Sequence, residues 1–465
     1  MFTRAFRSAI CPSREGSCVA RAASASGTDF APPSRPIPPS PENGADAYAC
    51  PPTNARGSTQ AYPIGRDAGQ GRSHGSSRGD RSGGAGARWP PRMEDAMIYP
   101  ITPIHAPSAW QGSALDYRAE GLRQLTGAEI DEIDTALAHL KRRGEMDFPA
   151  ITMENFPLPR FGEFLRDLGR ILYAGRGFLL LRGLPRERYS VDDLAQIYFG
   201  LGAYIGRPLP QSWHGELLGH VLDISDLETG VRGYNKGGSQ RFHTDSCDVI
   251  GLMCVRAAVS GGASRIASAM AVHNAILAAN ADHAQALYDG IPFRRMEQDA
   301  AYGTGILAKK ISVYAREGAE ISVSLSAQYA IRAAQAGDMA RDGLGMAALE
   351  HLERVAASPD YYLDMNIGEG DIQFLNNRLL IHGRTGYEDR QDIRDRRHMM
   401  RLWLRVNGWP PLPERQSNHS DADYQGWLRQ RTLAMEMPSA YLAKMTARHD
   451  DLARQAALYP AEKAL

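Results

Sequence analysis

The sequence predicts a mainly β protein with flanking helices (α+β), its core an antiparallel double sheet of the jelly-roll type. Two observations lead there. From about residue 218 the chain of 465 residues breaks into short apolar runs separated by turn residues. Helical patterns then interrupt those runs at only two places, about 269–289 and 345–357, as expected of strands with inserted helices. No internal repeat of fixed period is present. Hydrophobic residues make up 43% and charged residues 23%, enough to bury a substantial core.

Taken in order, residues 1–92 stand apart. They hold 12 of the 28 prolines and 12 of the 46 glycines, with 12 Arg and no Lys against 6 acidic residues. So few large apolar side chains cannot offset the entropy of ordering, and the segment is expected to be disordered. Its first 21 residues are rich in Arg and Ser and poor in acids, like a transit peptide. Met93 opens a stretch of ordinary composition, so a translation start at Met93 is an alternative reading. A domain is expected over 93–415, its core over 177–407, and a helical extension over 416–465.

Within the domain, Thr126-Gly127-Ala128-Glu129 fits a capping box, and Ile130, Ile133, Leu137 and Leu140 recur on one helical face. Phe161 to Tyr173 is a second amphipathic segment. Gly177 to Pro185 is an apolar run bounded by Gly and Pro, the pattern of a buried strand. Ser190 can cap a helix running to about Tyr204. Strands are predicted over Val249 to Ala258, Lys310 to Tyr314, Ile321 to Leu325, Tyr362 to Ile367, Asp371 to Ile381 and Met399 to Val406.

Several classes are disfavoured. Lys+Arg and Asp+Glu both total 53, so no global charge favours nucleic acid or an anionic membrane. No run approaches the ~18 apolar residues of a membrane helix. Five cysteines do not make a disulfide scaffold at this length. Cys247 and Cys254 read as small buried hydrophobes, and a cytoplasmic location is expected.

The chemistry-bearing residues are sparse. In Phe242-His243-Thr244-Asp245, an extended backbone projects His243 and Asp245 to one face, where imidazole and carboxylate can share an ion. Alone, His-x-Asp recurs by chance. A second element strengthens it: Asn376-Asn377-Arg378-Leu379-Leu380-Ile381-His382 places a histidine at the end of an apolar strand, 139 residues after His243. Two histidines and one carboxylate match the facial triad of non-haem Fe(II) oxygenases, which leaves adjacent positions open. A third element is the run Arg396, Arg397, Arg401 and Arg405. An inward Arg there would bind a carboxylate in bidentate fashion, whereas an outward one is a solvated strand face. Tyr234, Asn235 and Gln240, on or beside a Gly-rich loop, are candidate substrate or lid residues. His398 should point away from Arg397.

With these elements, the stretch from about Gly177 to Asn407 resembles the taurine dioxygenase/dichlorophenoxyacetate dioxygenase (TauD/TfdA) family. His243-Thr244-Asp245 matches its proximal iron motif, and Asn377-Arg378 followed by His382 its distal one. Ser260-Gly261-Gly262-Ala263-Ser264 is similar to its Gly-Gly-x-Thr/Ser element, and Arg396 to Arg401 to its closing strand. The resemblance implies a double-stranded β-helix core and an oxidoreductase that uses Fe(II), 2-oxoglutarate and O2. Such an enzyme oxidises, typically hydroxylates, an unactivated C–H, with succinate and CO2 as co-products. It implies His243, Asp245 and His382 as metal ligands and Ser264 and Arg397 as contacts to 2-oxoglutarate. Arg401 falls where some relatives hold an anionic substrate group, and it is the alternative to Arg397 as the co-substrate anchor. The partner implied is a small molecule, with the oligomeric state open, a homo-oligomer included. Two other readings stand beside it: an inactive jelly-roll binding protein, whose mark would be a broken triad, and a cupin-like metalloenzyme, whose mark would be a tighter histidine cluster.

Overall fold

The computed structural model describes residues 100–144, 146–295, 307–433 and 436–458. The expectation of disorder over 1–92 lies outside them. Two facing sheets form the core, as the apolar patterning predicts. The larger has seven strands. Along its path lie Leu122–Gln124, Phe178–Arg182, Ile372–Asn376, Val249–Arg256, His398–Arg405 and Arg207–Pro208, with Leu218–Leu222 also paired to His398–Arg405. The smaller runs Tyr362–Met365, Ser264–Ser268, Leu380–Arg384, Gln240–His243. All pairs in these two sheets are antiparallel except that of Leu122–Gln124 with Phe178–Arg182.

Strand alternation decides what each face does. On the large sheet, Phe178, Leu180, Ile250, Leu375 and Trp403 pack against Ile266, Met365 and Leu380 of the small sheet, filling the space between the two. The intervening residues Leu179, Leu181, Phe374, Met400, Leu402 and Leu404 turn outward. There they meet the helices Phe161–Ala174, through Leu165, Leu168 and Leu172, and Val191–Ile205. The outer face of the small sheet, with Phe242, Ala267 and Ile381, is covered by helices Ala269–Ala279, Ala281–Asp289 and Leu344–Ala356. Both predicted caps form: Thr126 and Ser190 each make a reciprocal capping box.

Three readings need correction. The run Asp371 to Ile381 is two strands rather than one, and His382 lies within the second. Asn376 Oδ1 accepts the Arg378 backbone N–H at 2.9 Å, an Asx turn that breaks the run. The helix over 269–289 divides at Asn280, whose extended backbone and side chain cap a second helix, accepting from the His283 N–H. Lys310 to Tyr314 spans the end of one strand, Leu307–Ile311, and the first residue of another, Tyr314–Glu317. The helix Ala327–Gln335 was not anticipated, because its buried face is built almost wholly of alanine.

One ion pair fixes the turn that leads to His382. Arg378 Nε donates to Asp248 Oδ1 at 3.0 Å, and Asp248 Oδ2 accepts the Val406 N–H at 3.0 Å. The two side chains are only 9% and 6% exposed. Removing one partner strands the other charge in a dry site. Arg378→Ala is therefore expected to cost about 3–5 kcal/mol of stability, read by urea denaturation. A loss below about 1 kcal/mol, the worth of a surface pair, would show the pair to be solvated.

Candidate active site

Sheet register does what sequence distance obscures. His382 and His243 are direct cross-strand partners on adjacent antiparallel strands, with Ile266 opposite His382 on the other side. Asp245 follows just past the end of the Gln240–His243 strand. The backbone of this turn is fastened at two points. Thr244 exchanges hydrogen bonds with Leu325, its N–H donating to the Leu325 carbonyl at 2.8 Å. The Asn377 side chain accepts the Asp245 N–H at 3.0 Å and donates to the carbonyls of Asp245 and Cys247.

One ligand atom from each of His243, Asp245 and His382 lies within 4.8 Å of the others. His243 Nε2 is 3.9 Å from Asp245 Oδ1, and His382 Nε2 is 3.8 Å from Asp245 Oδ2. His243 Nδ1 donates to the Arg241 carbonyl at 2.9 Å, which turns Nε2 toward Asp245, with Gln240 Nε2 3.3 Å from it. Burial and then the neighbouring His243 push the His382 imidazole down to about 3, so it is neutral at physiological pH, as a metal ligand must be. Burial alone would raise the Asp245 carboxyl. The Arg401 guanidinium, both imidazoles and the Trp403 N–H outweigh it and hold the group below its ordinary value. Two imidazoles and a carboxylate are the donor set that suits non-haem Fe(II) with open positions, so these residues fit that ion.

Beside the triad is a small chamber bounded by Ser264, His382, Arg384, Arg397 and Arg401. Arg397 is buried, and among the described residues its guanidinium meets the Gly262 carbonyl, at 3.5 Å, and the face of Tyr387. Among the described residues no carboxylate forms an ion pair with it. Burial and then Arg384 depress its pKa, the mark of a cation lacking its counter-charge. Gly262 has φ +71°, and a Cβ there would sit 3.1 Å from Arg397 Nε, so glycine allows this approach. Such a chamber fits the far carboxylate of 2-oxoglutarate. The Ser264 hydroxyl lies in its wall and donates to Gln373 Oε1 at 2.9 Å.

The remaining candidates separate cleanly. Arg401 shares the Arg397 face but is already engaged, its Nε with Gln211 Oε1 at 2.8 Å and Nη1 with Asp245 Oδ2 at 3.4 Å. Arg396 pairs instead with Asp226, and Arg405 with Asp421. His398 points the other way, as expected, and meets His220 at 3.0 Å. Tyr234 and Gln240 line the cavity. Asn235 does not; it is buried and donates to the carbonyls of His220 and Leu222. Sequence reasoning missed Arg384, Trp403 and Gln211. The first two sit two residues beyond His382 and Arg401, so strand alternation alone would have placed them on the same faces.

Buried imidazoles give a pH signature. Burial pushes His220 down to about 4, and His382 lies near 3. In the unfolded chain both titrate near 6.5. Below that value the unfolded state binds more protons, so their contribution to stability is complete above about pH 6.5 and is lost as the pH falls toward 4. The melting temperature of the metal-free protein should decline across this window. An unchanged value between pH 7 and 4.5 would show that the imidazoles are not buried neutral.

The model of the taurine catabolism dioxygenase TauD, TfdA family matches residues 143–403. The chain belongs to this family. It is an oxidoreductase dependent on Fe(II) and 2-oxoglutarate that hydroxylates a C–H bond with O2. Among curated relatives, FR-33289 synthase of Streptomyces rubellomurinus is 26% identical over 334 residues, covering 68% of this chain and 94% of that protein. The taurine hydroxylase-like protein SAT17 of Stachybotrys chartarum is 28% identical over 309 residues, covering 63% and 77%. Among solved structures, asparagine oxygenase in complex with Fe(II), hydroxyasparagine and succinate aligns with a TM-score of 0.46 at 15% identity, covering 61% of this chain and 93% of that one. Among the described residues of this TauD/TfdA member, no helix is long and apolar enough to cross a membrane.

Proposed function

We propose that His243, Asp245 and His382 hold Fe(II), that Arg397 beside Ser264 holds the distal carboxylate of 2-oxoglutarate, and that the substrate is a small organic anion. The observation that carries this is the direct pairing of His243 with His382 on one sheet face, with Asp245 within reach of both. Together, Fe(II) and 2-oxoglutarate supply the oxidising power, the keto acid being decarboxylated to succinate as O2 is reduced and the C–H hydroxylated. The chain's own share is binding, orientation and exclusion of water. His243 is fixed by its Nδ1 contact to the Arg241 carbonyl, which turns Nε2 toward Asp245. Among the described residues Arg397 has no carboxylate partner, and its fork borders the small chamber, where a carboxylate gains a charge-assisted contact.

The anionic character follows from the cavity of about 510 Å³ next to the triad. Its wall carries Arg232, Lys236, Arg241 and Arg401, and among the described residues Asp245 is the one carboxylate residue lining it. Arg241 pairs with Glu353 at 3.2 Å and Arg401 lies 3.4 Å from Asp245, so the anionic reading is supported by Lys236 in the wall. A reducing cytoplasm suits both Fe(II) and the two free buried thiols, Cys247 and Cys254. The test is succinate formation with Fe(II), 2-oxoglutarate and ascorbate across small sulfonates, phosphonates, carboxylates and amines. Stimulation by anions and not by amines is expected. Stimulation by amines alone would overturn the anionic assignment, and a wild-type protein that binds neither Fe(II) nor 2-oxoglutarate would overturn the site assignment.

A further inference from the structure

The two oxygens of Asp245 are not equivalent. Oδ2 accepts the Trp403 indole N–H at 2.9 Å and lies 3.4 Å from Arg401 Nη1. Among the described residues, no N–H or O–H donates to Oδ1. A carboxylate oxygen has two lone-pair sites: the Trp403 N–H takes one on Oδ2, and Arg401 Nη1 approaches the other at the longer distance. The donors themselves are fixed. Trp403 is 4% exposed, wedged between the sheets with Ile250 and Leu375. Arg401 is tied to Gln211, whose own amide donates to the carbonyls of Arg401 and Leu217 at 2.8 and 3.0 Å. Asn377 holds the backbone of the same aspartate, accepting its N–H and donating to its carbonyl.

We infer that Trp403 is a positioning residue for Asp245: its N–H occupies Oδ2 and so makes the carboxylate a single-oxygen ligand, through Oδ1. The inference rests on the metal assignment above. Its consequence is a count of positions. Three single-atom ligands leave three sites on an octahedral ion for the co-substrate and O2, whereas an Asp245 free to chelate with both oxygens would take one of them. Removing an outer partner of a metal ligand typically weakens the metal about 10- to 100-fold.

Two variants separate this role from packing. Trp403→Phe deletes the N–H and part of the ring. Site-specific replacement of Trp403 by benzothienylalanine exchanges the N–H for sulfur at nearly constant volume, and it decides the matter if the Phe variant fails to fold. Fe(II) affinity is measured anaerobically by calorimetry, and the visible absorption of the Fe(II) and 2-oxoglutarate complex is recorded. The expected result is about 10- to 100-fold weaker Fe(II) binding and a displaced absorption maximum for the benzothienyl protein. Wild-type affinity with an unmoved spectrum would overturn the inference and leave the metal assignment intact. A wild-type protein that binds no Fe(II) overturns both.

Discussion

His382→Ala abolishes the weak visible charge-transfer absorption that the wild-type protein develops with Fe(II) and 2-oxoglutarate under anaerobic conditions, and with it succinate formation. The loss should exceed the roughly 100-fold that follows removal of a mere outer partner, because a donor atom itself is gone. His382 is the demanding member of the triad. His243 and Asp245 are brought together by two residues of extended chain, whereas His382 arrives only through the register of the Leu380–Arg384 and Gln240–His243 strands. Among the described residues His382 Nδ1 has no hydrogen-bond partner, so the substitution breaks no hydrogen bond at that atom. Retention of the band in His382→Ala would mean that the metal is held elsewhere.

Arg397→Ala should weaken 2-oxoglutarate binding by about 30-fold to several thousand-fold, the equivalent of about 2–5 kcal/mol for truncating one half of a buried charge pair. Fe(II) binding without co-substrate should change little, because among the described residues no hydrogen bond or ion pair joins Arg397 to His243, Asp245 or His382. Arg397→Lys keeps the charge but loses the fork and should fall between. Arg401→Ala has the opposite profile. It removes a contact to Asp245 and the anchor to Gln211, so the metal is disturbed first. If Arg401→Ala reproduces the co-substrate defect and Arg397→Ala does not, the two arginines have been assigned the wrong way round.

Much of this was legible because strands write their geometry at period two. That period placed His243 with Asp245 and turned His398 away from Arg397. It would equally have paired Arg384 with His382 and Trp403 with Arg401. What the sequence hid depends on contacts across the fold. Nothing local marks Gln211 as the anchor of Arg401, 190 residues away. Asn235 looked like a loop residue free to meet a substrate, yet its amide satisfies two buried carbonyls, a role set by how the Leu218–Leu222 strand is covered. The broken strand over 371–381 was missed for a local reason: the Asx turn at Asn376 outweighed the apolar run around it.

The alternation along His398–Arg405 also bears on how such a chain can change through descent. One face of the strand supplies Arg401 and Trp403 to the chemistry, and the other supplies Met400, Leu402 and Leu404 to the helices. Deleting or inserting one codon within it would exchange the two sets, turning leucines to the active-site face and driving Arg401 and Trp403 toward the helical core. The connection over 385–396 is constrained as well, since it holds the short strand Tyr387–Glu388, paired with Ser260–Gly261, and sets the Tyr387 ring against Arg397. Novelty in the closing strand is thus confined to substitution, one face at a time.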